Sequence, residues 1–202
     1  VLNILQARGN TFSDSLLALD QLIHIADYLD KLSQKLEQLA LSALNDRKPS
    51  RLSWGQGSAS FAKNRRTEGG PVDHALPLLK VTDADGTLRA LLVNYACHGT
   101  TLSGDVNQIH GDWIGEAQRI IEMKHPGVTA LIAIGCAGDS NPAPRGEMQH
   151  VQTHAREISD NVDKLINATL RPLTSPPVGR IRWWELPFAH VPDTPELIKQ
   201  TE

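Results

Sequence analysis

Two continuous apolar runs constrain the fold of this 202-residue chain more than any other feature. Leu88–Ala96 and Val128–Ile134 have the length of strands, and neither alternates between polar and apolar residues. Continuous apolar strands are typical of a sheet that is covered on both faces. The stretch between them is expected to form a helix from Asp112, as its N-cap, to Lys124, because His125-Pro126-Gly127 then breaks it.

The rest of the chain adds further helices and strands around this unit. The other predicted elements are a helix over Ser13–Leu44, strands over Arg51–Phe61 and Leu76–Val81, a polar loop over Asn64–Gly70, a hairpin turn at Asp83-Ala84-Asp85-Gly86, a helix over Glu147–Leu170 and a strand over Arg180–Leu186. Alternating strands and helices predict the α/β class. We expect one domain with a mixed or mostly parallel sheet and helices packed on it, incomplete at both ends.

The composition narrows the possible partners. Hydrophobic residues make up 40% and charged residues 21%, as in globular proteins, and the net charge of −3 gives no reason to expect nucleic acid as a partner. No apolar run approaches the roughly 20 residues that a membrane span requires. The two cysteines, Cys97 and Cys136, are too few for a metal cluster of their own.

Polar loops follow both apolar runs, at Cys97–Thr101 and at Gly135–Pro142. In covered α/β sheets, ligands bind in the crevice beyond the strand ends, where small residues let a ligand approach the backbone. The imidazole of His98 in the first loop has the chemistry to bind zinc or to transfer a proton. The alternative is a histidine that only hydrogen-bonds to the backbone at a strand end.

Three segments in order resemble the neutral, non-lysosomal ceramidases. The stretch from Tyr95 to Leu102 is similar to that family's Ala-x-His-x-Thr-Ser, and Gly138-Asp139-Ser140-Asn141-Pro142 is similar to its Gly-Asp-Val-Ser-Pro. Upstream, Phe61-Ala62-Lys63-Asn64-Arg65-Arg66 is similar to its Asn-Arg-Ser-Pro segment. The resemblance covers roughly residues 26–186 and is greatest to uncharacterised bacterial members.

The resemblance implies zinc as a cofactor, with an incomplete set of ligands in this chain. His98 falls on one of the family's two zinc-binding histidines, and Arg65, beside Asn64, falls on an arginine that faces the polar head of the substrate. The other histidine belongs to a His-x-His-Ser segment that this chain lacks. The family's glutamate and tyrosine ligands lie further downstream than Glu202. One ligand of four is therefore present, whereas zinc sites use three or four.

The family's serine position departs from the pattern. With Gly138, Asp139 and Pro142 aligned without a gap, the serine falls on Asn141 and not on Ser140. An asparagine can still donate a hydrogen bond to a developing oxyanion. The nucleophile is then expected to be a zinc-bound water, whose pKa in such sites is about 7. Asp139 is expected to orient this loop through backbone hydrogen bonds, or to hydrogen-bond to a residue that binds the metal.

Other histidines carry weaker predictions. His110 is close enough to His98 in sequence to line the same cleft, and we keep it as a candidate for proton transfer. His150 and His154 have the i, i+4 spacing of metal ligands on a helix, but the glutamate of the zincin pattern is missing. We expect these two to be surface or half-buried residues.

The favoured function is that of a zinc-dependent hydrolase that cleaves the amide bond of an N-acyl lipid in the full-length protein. One alternative is a non-catalytic member of the same fold that binds a ligand. Another is a serine hydrolase that uses Ser140 with His110 or His98 as its base. A secreted or periplasmic location rests on the resemblance alone, and peripheral membrane contact and the oligomeric state stay open.

Overall fold

The computed structural model describes residues 19–176 and 178–187. In this part of the chain, the elements in order are α1 (Leu19–Asn45), β1 (Arg51–Ser58), β2 (Ala62–Asn64), β3 (Ala75–Thr82), β4 (Leu88–Tyr95), α2 (Asp112–Lys124), β5 (Thr129–Ile134), β6 (Ser140–Pro142), α3 (Met148–Ile166) and β7 (Arg171–Leu173). Residues 13–18 of the first predicted helix lie outside the described residues.

A five-stranded mixed sheet forms the centre of the fold, in the order β5-β4-β3-β1-β7. The pair β4–β5 is parallel and the other pairs are antiparallel. The parallel pair arises because α2 carries the chain from the end of β4 back to the start of β5. The predicted turn closes the β3–β4 hairpin, with Asp83 N–H donating to Thr87 O and Gly86 at a φ of 92°. The predicted α/β class with a mixed sheet is confirmed.

Only one face of the sheet is covered by the described residues. Helices α2 and α3 pack on it, and along β4 the buried residues are Leu91, Val93 and Tyr95. On the opposite face, Leu92 is 40% and Leu131 51% exposed. The prediction of a sheet covered on both faces is therefore wrong for the described residues. A continuous apolar run shows that both faces of a strand are apolar, but it does not show that both have a cover.

Three further predictions are corrected. Gly111, not Asp112, is the N-cap of α2, and a glycine has no side chain with which to cap the helix. The helix predicted over Glu147–Leu170 ends at Ile166 as α3, and the chain then forms β7, which pairs with β1. Residues 180–186, predicted as a strand, have no regular secondary structure.

Helix α1 contributes no residue to the buried core cluster, and many of its apolar side chains are exposed. The helix ends at Asn45, shortly before Pro49, as the sequence predicts. Within the described ranges, no helix is long and apolar enough to cross a membrane.

Neighbouring leucines on β4 provide a test of the one-sided cover. Leu91 is 1% exposed and Leu92 is 40% exposed. We expect Leu91→Ala to lower the free energy of unfolding by about 2–5 kcal/mol, because it leaves a cavity. Leu92→Ala should cost less than about 1 kcal/mol, because it removes a partly exposed side chain. Urea denaturation of both variants measures this difference, and equal losses would show that the second face is also buried.

Candidate functional site

A short two-stranded ribbon brings two of the sequence-predicted segments together. Strands β2 and β6 pair antiparallel, with Asn64 opposite Ser140 and Lys63 opposite Asn141. Beyond the ribbon, Arg65 N–H donates to Asp139 O at 2.7 Å. The sequence predicted a loop over Asn64–Gly70 and did not predict this ribbon, because strands of three residues leave almost no periodic pattern.

Side chains strengthen the same contact. The Asn64 amide donates to the Asp139 carboxylate at 2.9 Å, while its oxygen accepts from the backbone N–H groups of Arg66 and Thr67. The Arg65 guanidinium donates through Nε and Nη2 to Gly138 O, at 3.2 and 2.9 Å. Asn64, Arg65 and Asp139 therefore act first as the bonds that hold the two segments in place. Arg65 remains exposed, so its charge also faces solvent.

The His98 loop joins this ribbon through its backbone. His98 N–H donates to Ser140 O at 3.0 Å, and the indole N–H of Trp113 donates to His98 O at 2.9 Å. The imidazole is half-buried, and neither ring nitrogen hydrogen-bonds to a described residue. The alternative of a histidine whose ring only hydrogen-bonds to the backbone is thus not what the described residues show. As far as the described residues show, both ring nitrogens are available to a ligand.

The N-terminal end of α2 carries His110 to the same region. Asp112 N–H donates to His110 Nδ1 at 2.9 Å, and the Asp112 carboxylate accepts from the N–H groups of Leu102 and Trp113. Asp112 has a φ of 54°, a left-handed conformation that is uncommon for a residue other than glycine. These bonds connect the end of the His98 loop to α2. His110 itself is exposed and does not hydrogen-bond to His98.

Ser140 and Asn141 occupy opposite faces of the ribbon, since successive residues of a strand alternate. Ser140 is 3% exposed, and its Oγ has no hydrogen-bond partner in the described part of the chain. A serine nucleophile needs a base within hydrogen-bond reach, so the geometry lends no support to the Ser140 alternative. Asn141 is half-buried, and its amide makes no hydrogen bond with the described residues.

Comparisons with solved structures give the same picture of the fold. A ceramidase complexed with C2 is 19% identical, with a TM-score of 0.58, and the match covers 64% of this chain and 24% of that one. The neutral ceramidase from Pseudomonas aeruginosa is 18% identical, with a TM-score of 0.56 and the same coverage. The chain has a ceramidase-like fold. It spans about a quarter of the length of those structures. No protein-family model and no curated protein matches it.

Four aromatic rings pack together beneath this candidate site. Phe61 stacks on His154 at 4.3 Å between ring centroids and meets Tyr95 and Trp113 at 4.9 and 5.2 Å. The Tyr95 hydroxyl donates to Ala59 O and accepts from Ala62 N–H. Sequence reasoning missed Trp113, although a tryptophan at the start of a helix that follows the His98 loop was a usable indication.

The two histidines of α3 differ in their surroundings. His154 is buried, its Nε2 donates to Pro144 O at 2.8 Å, and burial lowers its pKa. It is therefore a neutral core residue, more buried than we predicted, whereas His150 is half-buried as expected. Among the described residues, no group of three or more histidine, cysteine, aspartate or glutamate side chains could hold a metal ion.

Tyr95 offers a test of the aromatic support. Tyr95→Phe keeps the ring but leaves Ala59 O and Ala62 N–H without a partner. A buried backbone group without its hydrogen bond costs about 1–3 kcal/mol. We expect a loss of that size in the free energy of unfolding by urea denaturation, with the fold unchanged by circular dichroism. An unchanged stability would mean that these two bonds do not hold β2 against β4.

The two thiols provide a second test at the same loops. Cys97 is fully buried and burial, with Asp112 as a minor cause, raises its pKa to about 12, whereas Cys136 is exposed. At pH 8, Cys97 is therefore in the unreactive thiol form. We expect a disulfide reagent to label one thiol per folded chain and two in urea. Cys136→Ser should reduce the folded value to zero, and rapid labelling of Cys97 would contradict its burial.

Proposed function

We propose that this chain is part of a hydrolase that cleaves the amide bond of an N-acyl lipid. In this reaction, water adds to the acyl carbon, the C–N bond breaks, and the nitrogen takes a proton, so that a fatty acid and an amine leave. The observation that carries the proposal is the junction of three segments: His98 N–H bonds to Ser140 O, and Arg65 bonds to Gly138 O and Asp139 O. The two ceramidases that share the fold support the substrate class.

The polar groups at this junction fit the parts of such a substrate. Arg65 presents a positive charge with its remaining guanidinium hydrogens, which suits hydroxyl or carbonyl oxygens of a polar head group. The Asn141 amide, which has no partner among the described residues, is available to donate to a developing oxyanion. His110 is exposed and within the same region, where its ring can hand a proton to the departing amine.

The described residues do not fit a zinc site by themselves. Zinc requires three or four protein ligands, and His98 is the only imidazole at the junction whose ring has no hydrogen bond to a described residue. We therefore propose that His98 supplies one ligand and that residues outside the described part of the chain supply the others. Its half-buried ring, held by backbone bonds on both sides, is suited to this role.

His98→Ala in the parent protein tests this proposal directly. We expect the variant to lose at least about 100-fold in the rate of fatty-acid release from an N-acyl lipid, as removal of a metal ligand or catalytic group does. We also expect it to lose bound zinc, measured by plasma mass spectrometry. His74→Ala is the matched control, since His74 is an exposed histidine that precedes β3. Wild-type protein that binds no zinc and releases no fatty acid would contradict the proposal.

A non-catalytic, ligand-binding role is the second candidate. It is favoured by two observations: the buried Ser140 Oγ has no hydrogen-bond partner among the described residues, and Asn141 stands where the family's serine is expected. In that case, wild-type protein should bind an N-acyl lipid without turnover, and His98→Ala should leave the binding constant unchanged. Calorimetric titration of both proteins separates the two candidates.

A further inference from the structure

His110 is held through one of its two ring nitrogens. The backbone N–H of Asp112 donates to His110 Nδ1 at 2.9 Å. A backbone N–H can only donate, so Nδ1 is the acceptor and carries no hydrogen. The hydrogen of the neutral ring is therefore on Nε2. A hydrogen on Nδ1 would place two N–H groups against each other and break this bond.

The same bond belongs to the start of helix α2. Asp112 is the first residue of α2, and the first N–H groups of a helix have no acceptor within it. His110 Nδ1 supplies an acceptor for the N–H of Asp112, and the Asp112 carboxylate supplies one for Trp113 N–H at 2.7 Å. The orientation of the His110 ring is thus part of how this helix begins.

The carboxylate of Asp112 ties this arrangement to the His98 loop. One of its oxygens accepts from Leu102 N–H, at the end of that loop, at 3.0 Å, while the other accepts from Trp113 N–H. Asp112 is 7% exposed and has a φ of 54°, which aspartate and asparagine adopt more readily than most other residues with a side chain. The side chain therefore holds the backbone whose N–H engages His110.

The other nitrogen of the His110 ring has no such partner. His110 is exposed, and its Nε2 hydrogen-bonds to none of the described residues. The Glu116 carboxylate, further along α2, is occupied by Arg119, which donates to both of its oxygens at 2.9 and 2.6 Å. The neutral ring thus offers one donor, Nε2–H, and its only lone pair is already bonded.

We propose that Asp112 is a positioning residue, which keeps neutral His110 as a hydrogen-bond donor, through Nε2–H, to an oxygen of the substrate. The identity of this oxygen as part of an N-acyl lipid rests on the proposed function. A neutral imidazole at a helix N-terminus can polarise a carbonyl group in this way. While the bond to Asp112 stands, His110 cannot serve as the base for a serine. It can hand over a whole proton only after a second proton has displaced the Asp112 N–H from Nδ1.

Nuclear magnetic resonance of the 15N-labelled full chain tests the state of the ring at about pH 8.5, where an ordinary histidine is neutral. We expect a scalar coupling across the hydrogen bond, between the backbone nitrogen of Asp112 and His110 Nδ1. We also expect the nitrogen shifts of a single tautomer, with the hydrogen on Nε2. His74 is the internal control, because it is exposed and its ring has no hydrogen bond within the described ranges. Its nitrogen shifts should be the average of two tautomers.

Variants at both positions separate positioning from a purely structural role. His110→Phe removes the acceptor, so hydrogen exchange at the Asp112 amide should accelerate at least about 10-fold. Asp112→Ala removes the carboxylate and disfavours the left-handed backbone, so the coupling should disappear and the His110 shifts should move toward an average. Asp112→Asn tolerates that backbone and keeps a side-chain acceptor, so it should retain the coupling. Circular dichroism follows the fold of each variant.

Fatty-acid release by the parent protein tests the donor role. We expect His110→Phe to lower the rate at least about 10-fold, because it removes a donor to the substrate. A glutamine side chain also ends in an N–H donor but does not transfer a proton. His110→Gln should therefore retain a rate at least about 3-fold above that of His110→Phe. Equal losses in the two variants would overturn the donor role.

Two further results would overturn the positioning by Asp112. One is a His110 ring whose nitrogen shifts are averaged like those of His74. The other is a tautomer that Asp112→Ala leaves unchanged in the folded protein, which is the result expected of a purely structural residue. These measurements need no substrate. A parent protein that releases no fatty acid would count against the proposed function and would leave the resonance results as the test of Asp112.

Discussion

The packing of Phe61 against three other rings is the interaction on which the candidate site depends. Each ring belongs to an element that continues into the site: Phe61 precedes β2, Tyr95 ends β4 before the His98 loop, and Trp113 lies at the start of α2. His154 on α3 stacks on the other side and bonds to Pro144, just after β6. The contacts among these rings therefore fix the relative position of polar segments that lie far apart in the sequence.

Hydrogen bonds then set the orientation of the His98 loop and of the start of α2. The carbonyl of His98 is held by Trp113, and its N–H is held by Ser140 O, so the loop is fixed from two sides. Asp112 keeps an uncommon left-handed backbone because its carboxylate accepts two N–H groups at once. Such a conformation costs of order 1–3 kcal/mol and persists where surrounding contacts determine it. Its place next to the His98 loop agrees with a role in shaping the site.

The sequence predicted those features that repeat within one element. The strands around Leu78 and Leu91, the turn at Gly86 and the helix over Asp112–Lys124 all follow from local periodicity and turn residues. The β2–β6 ribbon and the Trp113–His98 bond join residues that are far apart, and no local pattern reports them. The sequence also did not predict the exposure of Leu92, because a leucine on an uncovered face of the sheet cannot be told from a core leucine by its sequence. For the site, the resemblance identified segments, and the structure showed which bonds join them.

Contacts within the protein hold the backbone of the His98 loop. Here the loop follows a strand with a fully buried Tyr95, its Thr101 is buried, and protein groups bond both the N–H and the carbonyl of His98. The burial of these residues offsets the entropy of ordering the loop. The backbone from which the His98 imidazole projects is thus fixed by protein groups on both sides.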